Sequence, residues 1–199
     1  VLTQRKPEPQ VSFDYKVLYE DDDLFVISKP ANLPVHPAGR FFFNTLLVHL
    51  RTRGFTSPLK AEREYYLPHR IDRETSGVLV LTKTREACTD LVSQFSSRKT
   101  EKSYLALVRG KPDFETMAVD QPLGRNESGL IRLKMHVVPE HLGGQSAQTH
   151  FRVQATRYLK NVGPISLVEC FPRTGRQHQI RAHLDFLGLP IVGDKLYGM

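Results

Sequence analysis

Along the chain, apolar residues come in short runs separated by charged or turn-forming stretches. Tyr15-Lys-Val-Leu-Tyr19, the acidic Glu20-Asp-Asp-Asp23 and Leu24-Phe-Val-Ile-Ser28 predict strand, turn and strand. Lys29-Pro30 and His36-Pro37 halt regular structure, because proline lacks the N–H that a ladder needs. Thr45-Leu-Leu-Val-His-Leu50 predicts a short helix, followed by a polar connection through Gly54, Ser57 and Pro58. The apolar residues 78–81 predict another strand. Cys88, Leu91, Val92 and Phe95 fall at i, i+3, i+4 and i+7, one face of an amphipathic helix. Further strands are expected at 103–108, closed by Gly110, and at 130–138, 147–156 and 165–171. A last helix is expected over 176–187, with Gly188 placed to cap it and Pro190 to prevent its continuation.

Several strands joined mostly by short turns, with about three helices, predict an α+β fold. Its centre is expected to be a mixed, largely antiparallel β-sheet with a few flanking helices. Residues 1–10 are expected to form a polar, proline-containing leader and residues 11–199 one domain, a size that buries an ample core.

Composition narrows the class. With 40% apolar and 25% charged residues the chain is not wholly disordered, and no apolar run approaches the roughly 18 residues that cross a bilayer. The formal net charge of +7 suggests a polyanionic partner, and the excess is shared by both halves instead of sitting in a tail. Locally, Phe171-Pro-Arg-Thr-Gly-Arg-Gln-His-Gln-Ile-Arg-Ala-His183 carries three arginines, two histidines and no acid, as in a folded basic patch. Two cysteines, Cys88 and Cys170, form no ligand cluster and fit two small hydrophobes in a reduced, intracellular setting.

Three places carry candidate chemistry. Asp72 stands between Arg70 and Arg73 at the entry to the strand at 78–81. A carboxylate at the edge of a core needs pairing, and an ionised one beside a cleft is a candidate nucleophile or base. The competing role is a turn cap on the amides of Thr75-Ser-Gly77. In the basic segment, Gly175 and Arg176 ahead of the expected helix suit a phosphate, against a plain solvated face. On that helix Gln177 and Arg181 would share a face whereas His178 and His183 would not, which argues against a metal pair. Tyr104, on an apolar strand, either packs or stacks on a base. There is no P-loop, no G-x-G-x-x-G, no G-x-S-x-G and no H-E-x-x-H, and His69-x-x-Asp72 lacks further ligands to complete a metal set.

Taken in order, these segments resemble the RNA pseudouridine synthases of the RluA type. The likeness runs from about Tyr15 to Gly198. It is carried by Leu18-Tyr-Glu-Asp-Asp-Asp-Leu-Phe-Val-Ile-Ser-Lys-Pro30, Val35-His-Pro37, His69-Arg-Ile-Asp-Arg-Glu-Thr-Ser-Gly77 and Lys102-Ser-Tyr-Leu-Ala-Leu-Val-Arg-Gly110. Pro122-Leu-Gly-Arg125, the basic segment 173–183 and Gly193-Asp-Lys-Leu-Tyr-Gly198 complete it. The resemblance implies isomerisation of uridine to pseudouridine in tRNA or rRNA, with no cofactor and no metal. It implies that residues 11–199 are the catalytic domain, that Asp72 is the catalytic residue, Tyr104 the stacking ring and Arg181 the basic partner of the acid. Arg70 would help to open the RNA, and His69, Arg73, Arg176 and His178 are the remaining expected RNA contacts. A monomer acting in the cytoplasm, away from membranes, is expected.

Members of that type normally continue past the Gly-Asp-x-x-Tyr-Gly segment with a Leu-His-Ala segment and further strands. The chain, which starts without Met and stops at Met199, is therefore expected to be cut short at its C-terminus. The alternative reading is a non-catalytic RNA-binding or RNA-chaperone module on the same fold.

Overall fold

The computed structural model describes residues 7–53, 64–125 and 134–198. They form two compact units, Val1–Lys99 and Thr100–Met199. In the first, β1 (Lys16–Glu20) and β2 (Leu24–Lys29) form a hairpin whose turn is tied by Asp21. Its Oδ1 accepts the amides of Asp23 and Leu24, the local duty for which a short acid suits a tight turn. The helix α1 spans Leu46–Arg53, and β3 (Gly77–Thr82) adds to the other edge of β2, antiparallel. Central β2 buries every second residue, Phe25, Ile27 and Lys29. With Leu33, Val35, Leu46, Leu50, Leu79 and Leu81 the first two make the core of this unit.

The helix α2 (Arg85–Ser96) starts at Thr84, whose hydroxyl accepts the Ala87 amide at 3.3 Å. Cys88, Leu91 and Phe95 of the expected apolar face are half-buried, but Val92 is exposed. Part of the expected leader is in use: Glu8 and Pro9 are bonded to the loop ahead of α1, and Val11 and Phe13 pack on the core. The expected polar connection at Gly54, Ser57 and Pro58 lies outside the described residues.

In the second unit β4 (Tyr104–Arg109), β5 (Thr116–Asp120), β6 (Leu123–Arg125), β7 (Met135–Val137), β8 (Gln148–Leu159) and β9 (Gly163–Pro172) make two sheets. One has the order β4-β9-β8-β5, and the other is the β6-β7 ribbon. All the described strand pairs are antiparallel, in keeping with the largely antiparallel α+β fold expected. The pairing of β8 with β9 is irregular at Gln154, an extra residue between the pairs Val153–Val168 and Ala155–Leu167. Ala106, Val108, Val119, Phe151, Val168, Cys170, Leu184 and Leu189 form the main core of this unit.

Three expectations change here. β5 was not expected: only its Val119 is buried, so the period-2 signal is missing. β6 is three residues long and gives no pattern to read. Of the strand expected at 130–138, Met135–Val137 is observed and 130–133 lie outside the described residues.

The last helix, α3, spans Gln179–Phe186, not 176–187. His178 takes a left-handed conformation with φ 54°, which a helix cannot continue through. The side chain of Gln179 folds back to accept the Thr174 hydroxyl at 2.6 Å and the Arg176 amide at 3.0 Å. Gln177 therefore shares no helix face with Arg181. The far end stops as expected: Gly188, with φ 70°, donates to the Asp185 carbonyl, and Leu189 to that of Leu184.

Candidate active site

Asp72 lies in the turn that leads into β3, half-buried. The turn is closed on its backbone, the Thr75 amide donating to the Asp72 carbonyl at 3.1 Å. Arg70 is exposed, with Nη1 3.5 Å from His36 Nε2. Burial holds the His36 imidazole below its ordinary pKa, and the charge of Arg70 lowers it further. Arg73 lays its guanidinium over the Phe41 ring, 5.1 Å from the centroid, and pairs with Glu74 at 2.6 Å. His69 has structural work: its Nε2 accepts the Val80 amide at 3.0 Å, and its ring lies 4.6 Å from that of Phe95.

Beneath this turn sits Lys29, 1% exposed. Its ammonium donates to the carbonyls of Pro30, Leu33 and Arg73 at 2.9–3.0 Å. An ammonium has three donors, and all three are satisfied. The third bond ties the residue after Asp72 to the end of β2. Burial pushes the Lys29 pKa down to about 8, against the upward pull of Glu74 and Asp72.

In the second unit Tyr104 opens β4 opposite Cys170, half-buried against the core. Arg181, on α3, is held from two sides. Asp194 accepts its Nε at 2.7 Å and its Nη2 at 2.9 Å, and the Tyr197 ring lies 4.9 Å from the guanidinium carbon. Burial opposes ionisation of Asp194, but the bond from Arg181 and the amides of Leu196 and Tyr197 outweigh it and hold its pKa low. Burial also pushes the Tyr197 phenol up to about 12. Its oxygen donates to the Met135 carbonyl, accepts the Met135 amide and stands 3.2 Å from His178 Nδ1. Arg176 turns elsewhere: exposed, its Nε donates to the Ser146 carbonyl, and its amide is taken by Gln179, so the phosphate cradle expected at Gly175 and Arg176 is not a free helix end.

Within the first unit the structure thus groups His69, Arg70, Asp72 and Arg73 on one segment, and within the second it joins Arg181 and His178 through Tyr197. Lys29 and Asp194 were given no role from sequence, though each had a signal. Lys29 falls on the inward phase of β2, and Asp194 belongs to the Gly193–Gly198 motif. Among the described residues no three His, Cys, Asp or Glu side chains converge as a metal site, and no helix is long and apolar enough to cross a membrane.

Residues 23–186 match the model of the RNA pseudouridylate synthase family. The chain belongs to the RNA pseudouridylate synthases. It is 40% identical over 92% of its length to the ribosomal large subunit pseudouridine synthase D of Nitrosomonas europaea. It is 36% identical over 97% of its length to the mitochondrial tRNA pseudouridine(32) synthase of Saccharomyces cerevisiae. It spans 49% and 39% of those two proteins. Among solved structures it is similar to human RNA pseudouridylate synthase domain containing 1, with a TM-score of 0.77, 28% identity and coverage of 97% of this chain and 73% of that one. In this synthase family the chain keeps the α+β class expected from its sequence.

Proposed function

We propose that this chain carries the catalytic part of an RNA pseudouridine synthase that isomerises uridine in tRNA or rRNA, with Asp72 as the reacting carboxylate. The observation that carries the reading is the family match across 23–186, which includes the whole segment around Asp72. Relatives named for ribosomal and for transfer RNA both support an RNA substrate. An intracellular setting follows from that substrate, and one copy of the chain suffices for the reaction proposed.

The reaction breaks the C1′–N1 bond of the uridine and forms a C1′–C5 bond. The C5 proton leaves and N1 regains one, so atoms and electrons balance without oxidant, reductant, metal or water. Ordinary glycosidases need two carboxylates, one to assist the leaving group and one to activate water or attack. Here the leaving uracil is retained and water must be kept out, so one carboxylate serves. Asp72 either attacks C1′ or takes the 2′ proton to give a glycal. Tyr104 supplies a face for the uracil, and Arg181 supplies the guanidinium that favours the ionised acid. The target must leave its stack to react, at a cost of a few kcal/mol, and Arg70 and Arg73 offset this through phosphate contacts. The pinned turn around Asp72, with Lys29 beneath it, supports a carboxylate held ready in place.

The test is tritium release from RNA labelled at uridine C5. Release by the wild type that falls by more than about a thousandfold in Asp72→Asn, with RNA binding kept, supports the enzyme. Equal behaviour of the two proteins overturns it in favour of a non-catalytic RNA-binding module.

A further inference from the structure

Two large aromatic residues, consecutive in the chain, are exposed on the loop ahead of α1: Phe42 is 61% exposed and Phe43 76%. Their backbone is not loose. Ala38 and Phe41 bond to each other in both directions, N–H to carbonyl, at 2.9 and 3.1 Å, which closes a tight turn at Gly39 and Arg40. Beyond it the Glu8 carboxylate accepts three successive amides, those of Phe42, Phe43 and Asn44, at 2.7–3.1 Å. The Asn44 side chain returns a bond to the Pro9 carbonyl at 2.8 Å. A clamp of this kind fixes the main chain while the two rings stay outside the core. Phe41, by contrast, turns inward and is buried.

The surroundings are cationic. Arg40 and Arg70 are exposed, and Arg73 lies over the Phe41 ring. The nearby acids are already engaged, Glu8 by the three amides and Glu74 by Arg73. The Arg73–Phe41 and Arg70–His36 contacts also place this loop beside the turn that carries Asp72. Paired exposed rings with guanidinium groups around them fit a polyanion that also offers flat apolar faces. Single-stranded nucleic acid has both, since every base has a π-face and every linkage a phosphate. A duplex hides its bases, and an apolar protein partner would leave the arginines unpaired.

We infer that Phe42 and Phe43 form a platform on which unpaired bases next to the target uridine stack, with Arg40 and Arg70 on the phosphates. This rests on the synthase reading and adds to it a surface for substrate beyond the reacting nucleoside. It makes the two rings determinants of binding, not of the chemical step.

The experiment compares wild type, Phe42→Ala/Phe43→Ala and Phe42→Trp/Phe43→Trp. Each is measured for binding to a labelled RNA stem-loop with an unpaired, uridine-containing loop, for binding to the same sequence as a full duplex, and for tritium release. Because the rings are exposed, unchanged melting temperatures are expected. The alanine pair is expected to weaken stem-loop binding by about tenfold or more, with duplex binding little changed. In tritium release it should raise KM by a similar factor with kcat nearly kept, and the tryptophan pair should restore both. Wild-type isomerisation with equal stem-loop affinity in all three proteins overturns the platform and leaves the synthase reading standing. Loss of stem-loop binding in the alanine pair, in a protein whose wild type releases no tritium, supports the platform while the synthase reading falls.

Discussion

Arg181 and Asp194 form a two-pronged pair with little access to water, their side chains 14% and 6% exposed. The fork geometry is one that only arginine offers, so Arg181→Lys keeps the charge and loses the second bond. Removing either partner takes from the other a two-pronged, charge-assisted contact in a site with little water, at roughly 3–5 kcal/mol. Asp194→Ala also releases the Leu196 and Tyr197 amides and is expected to be the more damaging change. Urea unfolding of both single variants and the double variant measures the pair directly, as a coupling energy. Because the folded pKa of Asp194 is lowered, the stability it adds is present above the ordinary carboxylate value near 4 and is lost as pH falls through the folded one. If the proposed function holds, Arg181→Ala also lowers tritium release beyond what its lost folding explains.

Gly198 guards the same loop. A Cβ added there would stand 2.8 Å from the carbonyl oxygens of both Asp194 and Ile191, where backbone must give way. Gly198→Ala is therefore expected to shift the Asp194 turn and to lower the melting temperature, an effect that calorimetry reads.

Lys29 makes a prediction of the same sign in a more alkaline window. Its folded pKa, about 8, lies below the value near 10.4 of an unfolded chain. Between these the unfolded state binds more protons, so this residue's contribution to stability rises as pH increases through the window. Below about pH 8 both states are charged and the burial cost is present in full. The difference in unfolding free energy between wild type and Lys29→Met should climb in favour of the wild type by up to about 1.4 kcal/mol per pH unit. At pH 7 the variant is expected to be destabilised all the same, since three carbonyls, that of Leu33 buried, lose their donor.

His183 is fully buried, next to the Thr149 hydroxyl at 2.9 Å and the Gln121 carbonyl at 3.0 Å. Burial lowers its pKa, against weaker pulls from Gln121 and Asp120. The unfolded chain then takes up the proton first on acidification. The stability tied to His183 is present above about pH 6.5 and is lost below it. Wild type should lose more stability than His183→Gln between pH 7 and pH 5, as followed by denaturant titration at each pH.

Cys170 is buried, and its thiol is pushed up to about 12 by burial and by Glu169. A thiol reagent added to native protein should label Cys88 and leave Cys170 until the chain unfolds, with mass spectrometry counting the adducts.

The sequence pattern made most of this fold legible where burial alternates cleanly. Leu24–Lys29 and Gly163–Pro172 bury every second residue over much of their length, and both were expected. Thr116–Asp120, at a sheet edge with one buried residue, offered no such alternation. The start of α3 is not legible in the sequence, because helical periodicity cannot show a left-handed residue at His178 or a glutamine that folds back on its own approach. Asp72 stood out as an acid between two arginines at a strand entry. Lys29 and Asp194 did not, since what gives them meaning is a carbonyl 44 positions away and a guanidinium 13 positions away. Such partners are set by the fold, and neither spacing nor composition reveals them.

The extra residue in the β8–β9 ribbon has a last implication. Val153 faces Val168 and Ala155 faces Leu167, with Gln154 spare between them. Deleting Gln154 would leave every later pair opposite its present partner, Thr156 still bonded to Ser166 within the sheet. Deleting any single position between Thr156 and the tip would instead turn the remaining outer residues over, exchanging the sides on which Tyr158 and its basic neighbours lie. The ribbon can be shortened by one at that place without inverting what it shows to the outside.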